Sequence, residues 1–256
     1  MDVTNRYVLD FAVRYAREHA AARVLDYGCG AGRLVQAGLA AGLAISGADV
    51  YYGGSKTRAE AEQAGFLGSA IREMRDGRLD FADETFGLVV NNQVMEHVED
   101  LDAVLSEIHR VLRPGGTVLS VFPSRDVFRE GHIGIPFAHW MTQGSRRRLL
   151  YTWGLRSLGL GTWKQEAPTC RQWAVDKLAW IDTYTRYRSR REIGACYDKY
   201  FSNELRESDY IRYRLLAQPG RETLARLAAL PGIAPVARAI FRKLAFLVIV
   251  SKKAAG

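Results

Sequence analysis

The chain is poor in the features that staple small or extracellular proteins. Its 256 residues hold three cysteines, Cys29, Cys170 and Cys196, an odd number without CxxC or Cys/His spacing, so neither a disulfide framework nor a metal site is indicated. A reducing cytoplasm is the expected compartment. Proline is scarce at seven, which excludes collagenous and proline-rich low-complexity classes. Long apolar runs are missing too: the longest, Leu244 to Val250, is far short of the roughly 20 residues that a membrane-spanning helix needs. The first twenty residues, MDVTNRYVLDFAVRYAREHA, carry charges throughout and have no apolar core of the kind a secretory signal requires. A soluble protein, at most surface-associated, is expected, and no internal repeat is visible.

What the chain does have is ordinary globular composition, 48% hydrophobic and 25% charged. At this length roughly 70% or more of the unfolded surface can be buried without a staple. The net charge of +8 is unevenly placed: between Trp140 and Leu215 there are 15 Lys and Arg against 8 Asp and Glu, and all five Trp fall in that stretch. The expected organisation is therefore a core over residues 1–122, a basic, aromatic, mostly helical insertion over 123–230, and a C-terminal helix and strand over 231–256 that complete the core.

Along the chain, residues 4–20 read as a helix with Thr4 as its cap and Val8, Phe11 and Tyr15 on one face. Short apolar runs then alternate with helical segments: strands around residues 23–26, 44–50, 69–74, 88–90 and 117–122, and helices over 34–41, 55–64 and 101–112. The sequence Arg113-Pro114-Gly115-Gly116 stops the last of these helices. Such alternation predicts an open, doubly wound parallel sheet with right-handed crossovers, whose ligands bind at the carboxyl ends of the strands. The tail LAFLVIVSKK, short and β-branched, reads as a last strand.

Chemistry is therefore sought in the turns after the strands. Val24-Leu25-Asp26-Tyr27-Gly28-Cys29-Gly30-Ala31-Gly32 sets three glycines where the first strand gives way to its helix, with free N–H groups for a ligand. The third glycine of a dinucleotide GxGxxG fingerprint would fall at Arg33, and an acid two residues before the first glycine suits a cationic ligand better than a pyrophosphate.

The run VLDYGCGAGRL resembles the first motif of class I S-adenosylmethionine (SAM) dependent methyltransferases. The later run LDFADETFGLVVNNQVMEHVEDLDAVLSEIHRVLRPGGTVLSV is similar to that of the methyltransferase type 11 family, and the two together cover about residues 22–122 in the family's order. The resemblance implies a Rossmann-like seven-stranded sheet, SAM as methyl donor and S-adenosylhomocysteine as product. It assigns Asp26 and the backbone of Gly28, Gly30 and Gly32 to the methionine end of SAM, Asp49 with Val50 to the ribose, Asp76 and Gly77 to the adenine, and Asn91 and Asn92 to the methyl region. The family's Phe-Asp before the fourth strand is Phe86-Gly87 here, and its Leu-Pro-Phe is Leu79-Asp80-Phe81. Glu96 and His97 of MEHVED are carried by the family as well, either to cap and pack the next helix or to meet substrate.

Methyl transfer needs alignment above all, and a base as well if the acceptor is a hydroxyl. The loop after the fifth strand carries Glu130, His132 and His139, with His132 the first candidate base and Glu130 its orienting partner. The basic insertion, with Arg146, Arg147, Arg148, Arg186, Arg188, Arg190 and Arg191, reads as a helical lid whose Trp173, Trp180, Tyr184 and Tyr187 form a packed stripe, or as a site for an anionic small-molecule acceptor. No RNA-binding module is recognisable, so nucleic acid ranks last. The functional expectation is a methyltransferase acting on a small, anionic acceptor. A SAM-binding protein without transfer, or an RNA or protein methyltransferase, are the alternatives.

Overall fold

The computed structural model describes residues 1–19, 22–52, 56–75 and 77–255. In chain order the principal elements are α1 (Val3–Glu18), β1 (Val24–Tyr27), α2 (Arg33–Ala40), β2 (Ile45–Asp49), α3 (Lys56–Gln63), β3 (Ile71–Glu73), β4 (Phe86–Asn92), α4 (Leu101–Val111), β5 (Leu112–Phe122), α5 (Arg146–Ser157), α6 (Cys170–Tyr184), α7 (Arg190–Tyr197), β6 (Ser202–Leu205), α8 (Glu207–Leu216), α9 (Glu222–Ala228), α10 (Ala234–Leu244) and β7 (Leu247–Lys252). The strands form one seven-stranded sheet in the order β3-β2-β1-β4-β5-β7-β6. The first five run parallel, as the alternating pattern predicts, while β7 pairs antiparallel with β5 and with β6. This is the Rossmann-like α/β fold of class I methyltransferases.

Side chains alternate across the sheet. Val24, Leu88, Val90, Leu119 and Val121 pack against α1, α2 and α8 on one face, and Leu25, Val89, Val118 and Phe122 against α4 and α7 on the other. Because both faces are covered, β1 is buried at every position, Asp26 included. Chain order reverses between β1 and β4, and the cleft at their carboxyl ends is where such sheets take ligands.

Two local readings of the sequence are corrected. The cap of α1 is Asp2, whose Oδ1 accepts from the N–H groups of Thr4 at 2.9 Å and Asn5 at 3.0 Å; Thr4 instead bonds the Tyr210 hydroxyl. A carboxylate also complements the positive end of the helix dipole, which a threonine does not. The fifth strand starts at Leu112 rather than Thr117, because Leu112 already pairs with Phe86 before the register shifts across Arg113-Pro114-Gly115-Gly116. Within residues 123–230, α5 and α6 build a small core of their own around Trp173, Ile133 and Ile181, whereas β6 and α8 return to the main sheet. Arg148, buried in that small core, donates to the Ala138 carbonyl at 2.7 Å and pairs with Asp182. It also borders a cavity together with Arg125, Arg186 and Arg188, whereas Arg146 and Arg147 are exposed.

Candidate active site

The Gly-rich turn is tied to β2 from both sides. Gly28 and Cys29 donate to the Ala48 carbonyl, Gly30 N–H donates to Asp49 Oδ2 at 2.8 Å, and Tyr51 N–H donates to Asp49 Oδ1 at 2.9 Å. Each Asp49 oxygen keeps a further lone pair for a ligand hydroxyl. Gly28, Gly30 and Gly32 all have left-handed backbone, yet they serve different ends. A side chain at Gly32 would run into Ile71 at 2.4 Å and one at Gly28 into Val94 at 2.4 Å, so both permit packing. At Gly30 the nearest atom is Thr57 Cγ2 at 3.9 Å, so its missing side chain leaves open space above the turn.

Asp26 ends β1 beneath this turn, 4% exposed. Burial, and after it the charge of Asp49, lifts its pKa from 3.8 to about 7. A carboxyl in that state gains most from a cationic partner.

Two cavities meet above the β1/β4 switch. One, about 650 Å³, is bordered by Asp26, Gly28, Gly30, Asn5 and Asn92. The other, about 750 Å³, is bordered by Asp49, Val50, Tyr52, Gly77, His97 and others; Gly28, Thr57 and Gln93 border both. Asp76 lies outside the described residues. Asn92 donates to Asn5 Oδ1 at 2.9 Å and keeps its own Oδ1 buried without a hydrogen-bond partner among the described residues. Asn91 is placed elsewhere: fully buried, it points to the opposite face of the sheet and donates to Ser120 Oγ, which also takes the Tyr197 hydroxyl. Gly87, where the family has Asp, lies under Arg113, whose guanidinium would stand 2.9 Å from an added Cβ. A further cavity, about 1200 Å³, sits at the β3 edge away from Asp26, and its Arg58, Arg72 and Arg110 are paired with Glu73, Asp80 and Glu107.

The loop after β5 gathers a polar cluster. Glu130, fully buried, accepts from Ile133 N–H at 2.6 Å, from the Tyr187 hydroxyl at 2.5 Å and from His132 Nδ1 at 2.7 Å. Burial opposes ionisation of Glu130, but these bonds and the His132 charge outweigh it and hold the carboxyl below its usual value. For His132, burial disfavours the cation, and the bond to Glu130 with the charges of Glu130 and Glu96 raises its pKa nonetheless. With Nδ1–H directed to Glu130, Nε2 is the basic atom. His139 lies beside Tyr187, ring centroids 5.0 Å apart, with Nε2 on the Arg125 carbonyl; burial first of all lowers its pKa.

Glu96 and His97 do not cap α4, since Asp100 does. His97 Nδ1 donates to the Tyr184 carbonyl at 2.7 Å, and its ring stands 5.0 Å from that of His132. Glu96 is 1% exposed, neither carboxyl oxygen is hydrogen-bonded among the described residues, Oε1 lies 4.0 Å from His97 Nε2, and burial pushes its pKa up to about 8. Ligand atoms of Glu96, His97 and His132 lie within 4.8 Å of one another, a spacing that could hold a metal ion although the sequence pattern indicates none. His132 borders neither cofactor-side cavity; His97 does, and stands between them. On the other flank, Tyr187 and His139 border a cavity of about 450 Å³ that also takes in Arg125, Arg186 and Arg188. Tyr187 is the member of the cluster that sequence reading missed: its place three residues after Tyr184 suggested a helical stripe, but α6 ends at Tyr184. Tyr52 and Gln93 were missed as well, both lying just beyond strands that were recognised, three residues after the end of β2 and one after the end of β4.

Residues 25–120 match the family model described as a methyltransferase domain. A ubiquinone biosynthesis O-methyltransferase of Mesorhizobium japonicum is 32% identical over 155 residues, 55% of this chain and 61% of that protein. One from Ruegeria pomeroyi is 39% identical over 101 residues, 39% of this chain and 40% of that protein. The match thus spans less than two thirds of either relative. Among solved structures, an S-adenosylmethionine dependent methyltransferase from Mesorhizobium loti superposes with TM-score 0.52 at 19% identity, covering 96% of this chain and all of that one. A Haemonchus contortus phosphoethanolamine N-methyltransferase 2 in complex with S-adenosyl-L-methionine gives TM-score 0.53 at 16% identity, covering 99% of this chain and 52% of that one. These likenesses concern the fold.

Proposed function

We propose that this protein, whose residues 25–120 carry a methyltransferase domain of the class I type, binds SAM and transfers its methyl group to a hydroxyl of a small acceptor bearing an anionic group. The observation that carries the reading is Asp26, a buried carboxyl raised to about 7, under the open turn at Gly30 where two cavities join. The residues fit the cofactor. Asp26 would take the ammonium group, Asn92 Oδ1, with no hydrogen-bond partner among the described residues, stands in the same cavity, and Asp49 retains lone pairs for the ribose hydroxyls. When bound, SAM supplies a methyl group already activated on a sulfonium.

The chain's own part is alignment and proton removal. The Glu130–His132 pair lies between the cofactor side, reached through His97, and the arginine-lined cavity, reached through Tyr187. His132 Nε2 takes the acceptor's hydroxyl proton as the oxygen attacks, and the resulting imidazolium is held by Glu130. A hydroxyl acceptor accords with the O-methyltransferase relatives, and the anionic group with Arg125, Arg186 and Arg188. Calorimetry with SAM and S-adenosylhomocysteine tests the cofactor site. Incubating a cell extract with methyl-labelled SAM then tests the acceptor: label in the small-molecule fraction supports the reading, label in RNA or protein replaces it, and binding without turnover reduces the protein to a SAM-binding one.

A further inference from the structure

The helical pair α9–α10 leaves a large apolar face uncovered. Leu224, Leu227 and Leu230 project from α9 and its end, and Ile233, Val236, Ile240 and Leu244 form a single stripe along α10, all exposed; Val236, Ile240 and Leu244 are 57%, 54% and 65% exposed. None of the residues of α10 is buried, and only its opposite side, through Phe241 and the Arg242 pair with buried Glu207, holds it to α8. Cations accompany the face. Arg221, Arg226 and Lys243 are exposed, Arg238 is half-buried on the side of α10 that carries Phe241 and Arg242, none of the four forms an ion pair among the described residues, and between residues 216 and 244 the sole acid is Glu222.

A second apolar patch adjoins the end of α10. Phe128, Phe137 and Trp140 cluster with ring centroids 4.9–5.9 Å apart, and all three are exposed. Lys243 joins the two: its carbonyl accepts from Phe128 N–H at 2.7 Å and its ammonium lies 5.7 Å from the Phe128 ring centre. Exposed apolar side chains at helical spacing, cations beside them and a Trp among Phe residues at the margin are together the pattern of a helix lying in a membrane interface. No helix among the described residues is long and apolar enough to cross a membrane, so the surface would rest on it.

We infer that α9, α10 and the Phe128/Phe137/Trp140 patch dock on an anionic phospholipid bilayer. A second copy of the chain is disfavoured as the occupant, because a twofold contact would set these cations against one another, whereas anionic headgroups neutralise them. The inference stands on the surface alone and does not require methyl transfer. The test is flotation of the full chain with vesicles of phosphatidylcholine alone and of equimolar phosphatidylcholine and phosphatidylglycerol. Binding is expected to the anionic vesicles, to weaken with added salt, and to fall by about tenfold or more in Val236→Glu/Ile240→Glu, whose exposed positions leave the melting temperature in place. Arg221→Glu/Arg226→Glu, which keeps the apolar stripe and changes exposed positions alone, should lose the preference for anionic vesicles. The inference is overturned if the wild-type chain stays with neither vesicle, if the variants bind as it does, or if sedimentation shows a dimer that Val236→Glu/Ile240→Glu dissociates.

Discussion

Replacing Asp26 by Asn should change how stability depends on pH far more than it changes the fold. The carboxyl is 4% exposed, and burial with the neighbouring charge of Asp49 moves its pKa from 3.8 to about 7. An acid whose folded value lies above its unfolded value holds more protons in the folded state between the two, so stability is full below about pH 4 and is lost as pH climbs to about 7. At about 1.36 kcal/mol per pKa unit the loss approaches ~4 kcal/mol, an upper figure because Asp26 borders a cavity that water can enter. Asparagine keeps the shape without the charge. Urea unfolding at about pH 5 and about pH 8, which span about two of those pKa units, should show the wild-type protein losing up to ~2.7 kcal/mol more than Asp26→Asn between the two values. S-adenosylhomocysteine, whose ammonium would neutralise Asp26, should restore wild-type stability at the higher pH and do little for the variant. Equal losses in both proteins would refute the assignment of the buried charge to Asp26, and with it the case for a cation site.

Four further outcomes are expected. Asp49→Ala should weaken SAM and S-adenosylhomocysteine by about 1.5–3 kcal/mol in calorimetry, with circular dichroism confirming that the turn at Gly30 persists. Gly30→Val should abolish that binding in a folded protein, since the space above the turn is filled; normal binding would make the turn purely structural. Arg148→Ala should cost about 3 kcal/mol in urea unfolding by stranding Asp182, against about 0.5 kcal/mol or less for Arg146→Ala/Arg147→Ala. In histidine NMR, Glu130→Gln should bring the raised His132 titration down, because the bond and charge that oppose its burial are then removed, whereas Glu96→Gln, at a carboxyl that burial already keeps protonated, should move it little; an unmoved midpoint in Glu130→Gln would dissolve the pair.

The core fold was legible because its signals are local. Apolar runs of strand length, separated by helical segments and stopped at Pro114 and Gly115, determine the parallel strands directly, and the acid-before-glycine pattern at Asp26 marks the cleft where chain order reverses. Contacts distant in sequence were not legible. Nothing near Tyr187 says that it bonds Glu130, 57 residues away, and nothing in Asn91 says which face of β4 it occupies until the register with β5 is known. The same limit hid Arg148, one of three consecutive arginines that only the packing of α5 on α6 separates into one buried and two exposed. The cationic, apolar surface of α9 and α10 was overlooked because the net charge of the neighbouring Trp140–Leu215 stretch dominates the count.

The two buried carboxyls beside His132 have opposite electrostatics, and this decides which group can act as base. Glu130 offsets its burial with three hydrogen-bond donors and remains anionic, so it cannot give His132 a proton but can hold the imidazolium that forms. Glu96 has no such donors, and burial keeps it protonated up to about pH 8. A neutral carboxylic acid can donate a hydrogen bond to a nearby oxygen but takes no proton from it near neutral pH. His139 is weakened differently: its pKa is lowered, and its Nε2 is occupied by the Arg125 carbonyl. His97 spends Nδ1 on Tyr184 and is likewise lowered, chiefly by burial, leaving it a poor proton acceptor. Among these groups only His132 combines a raised pKa, a ring nitrogen left free by its partner, and an adjacent carboxylate to stabilise the charge it would gain, which is the physical ground for assigning the proposed proton removal to it.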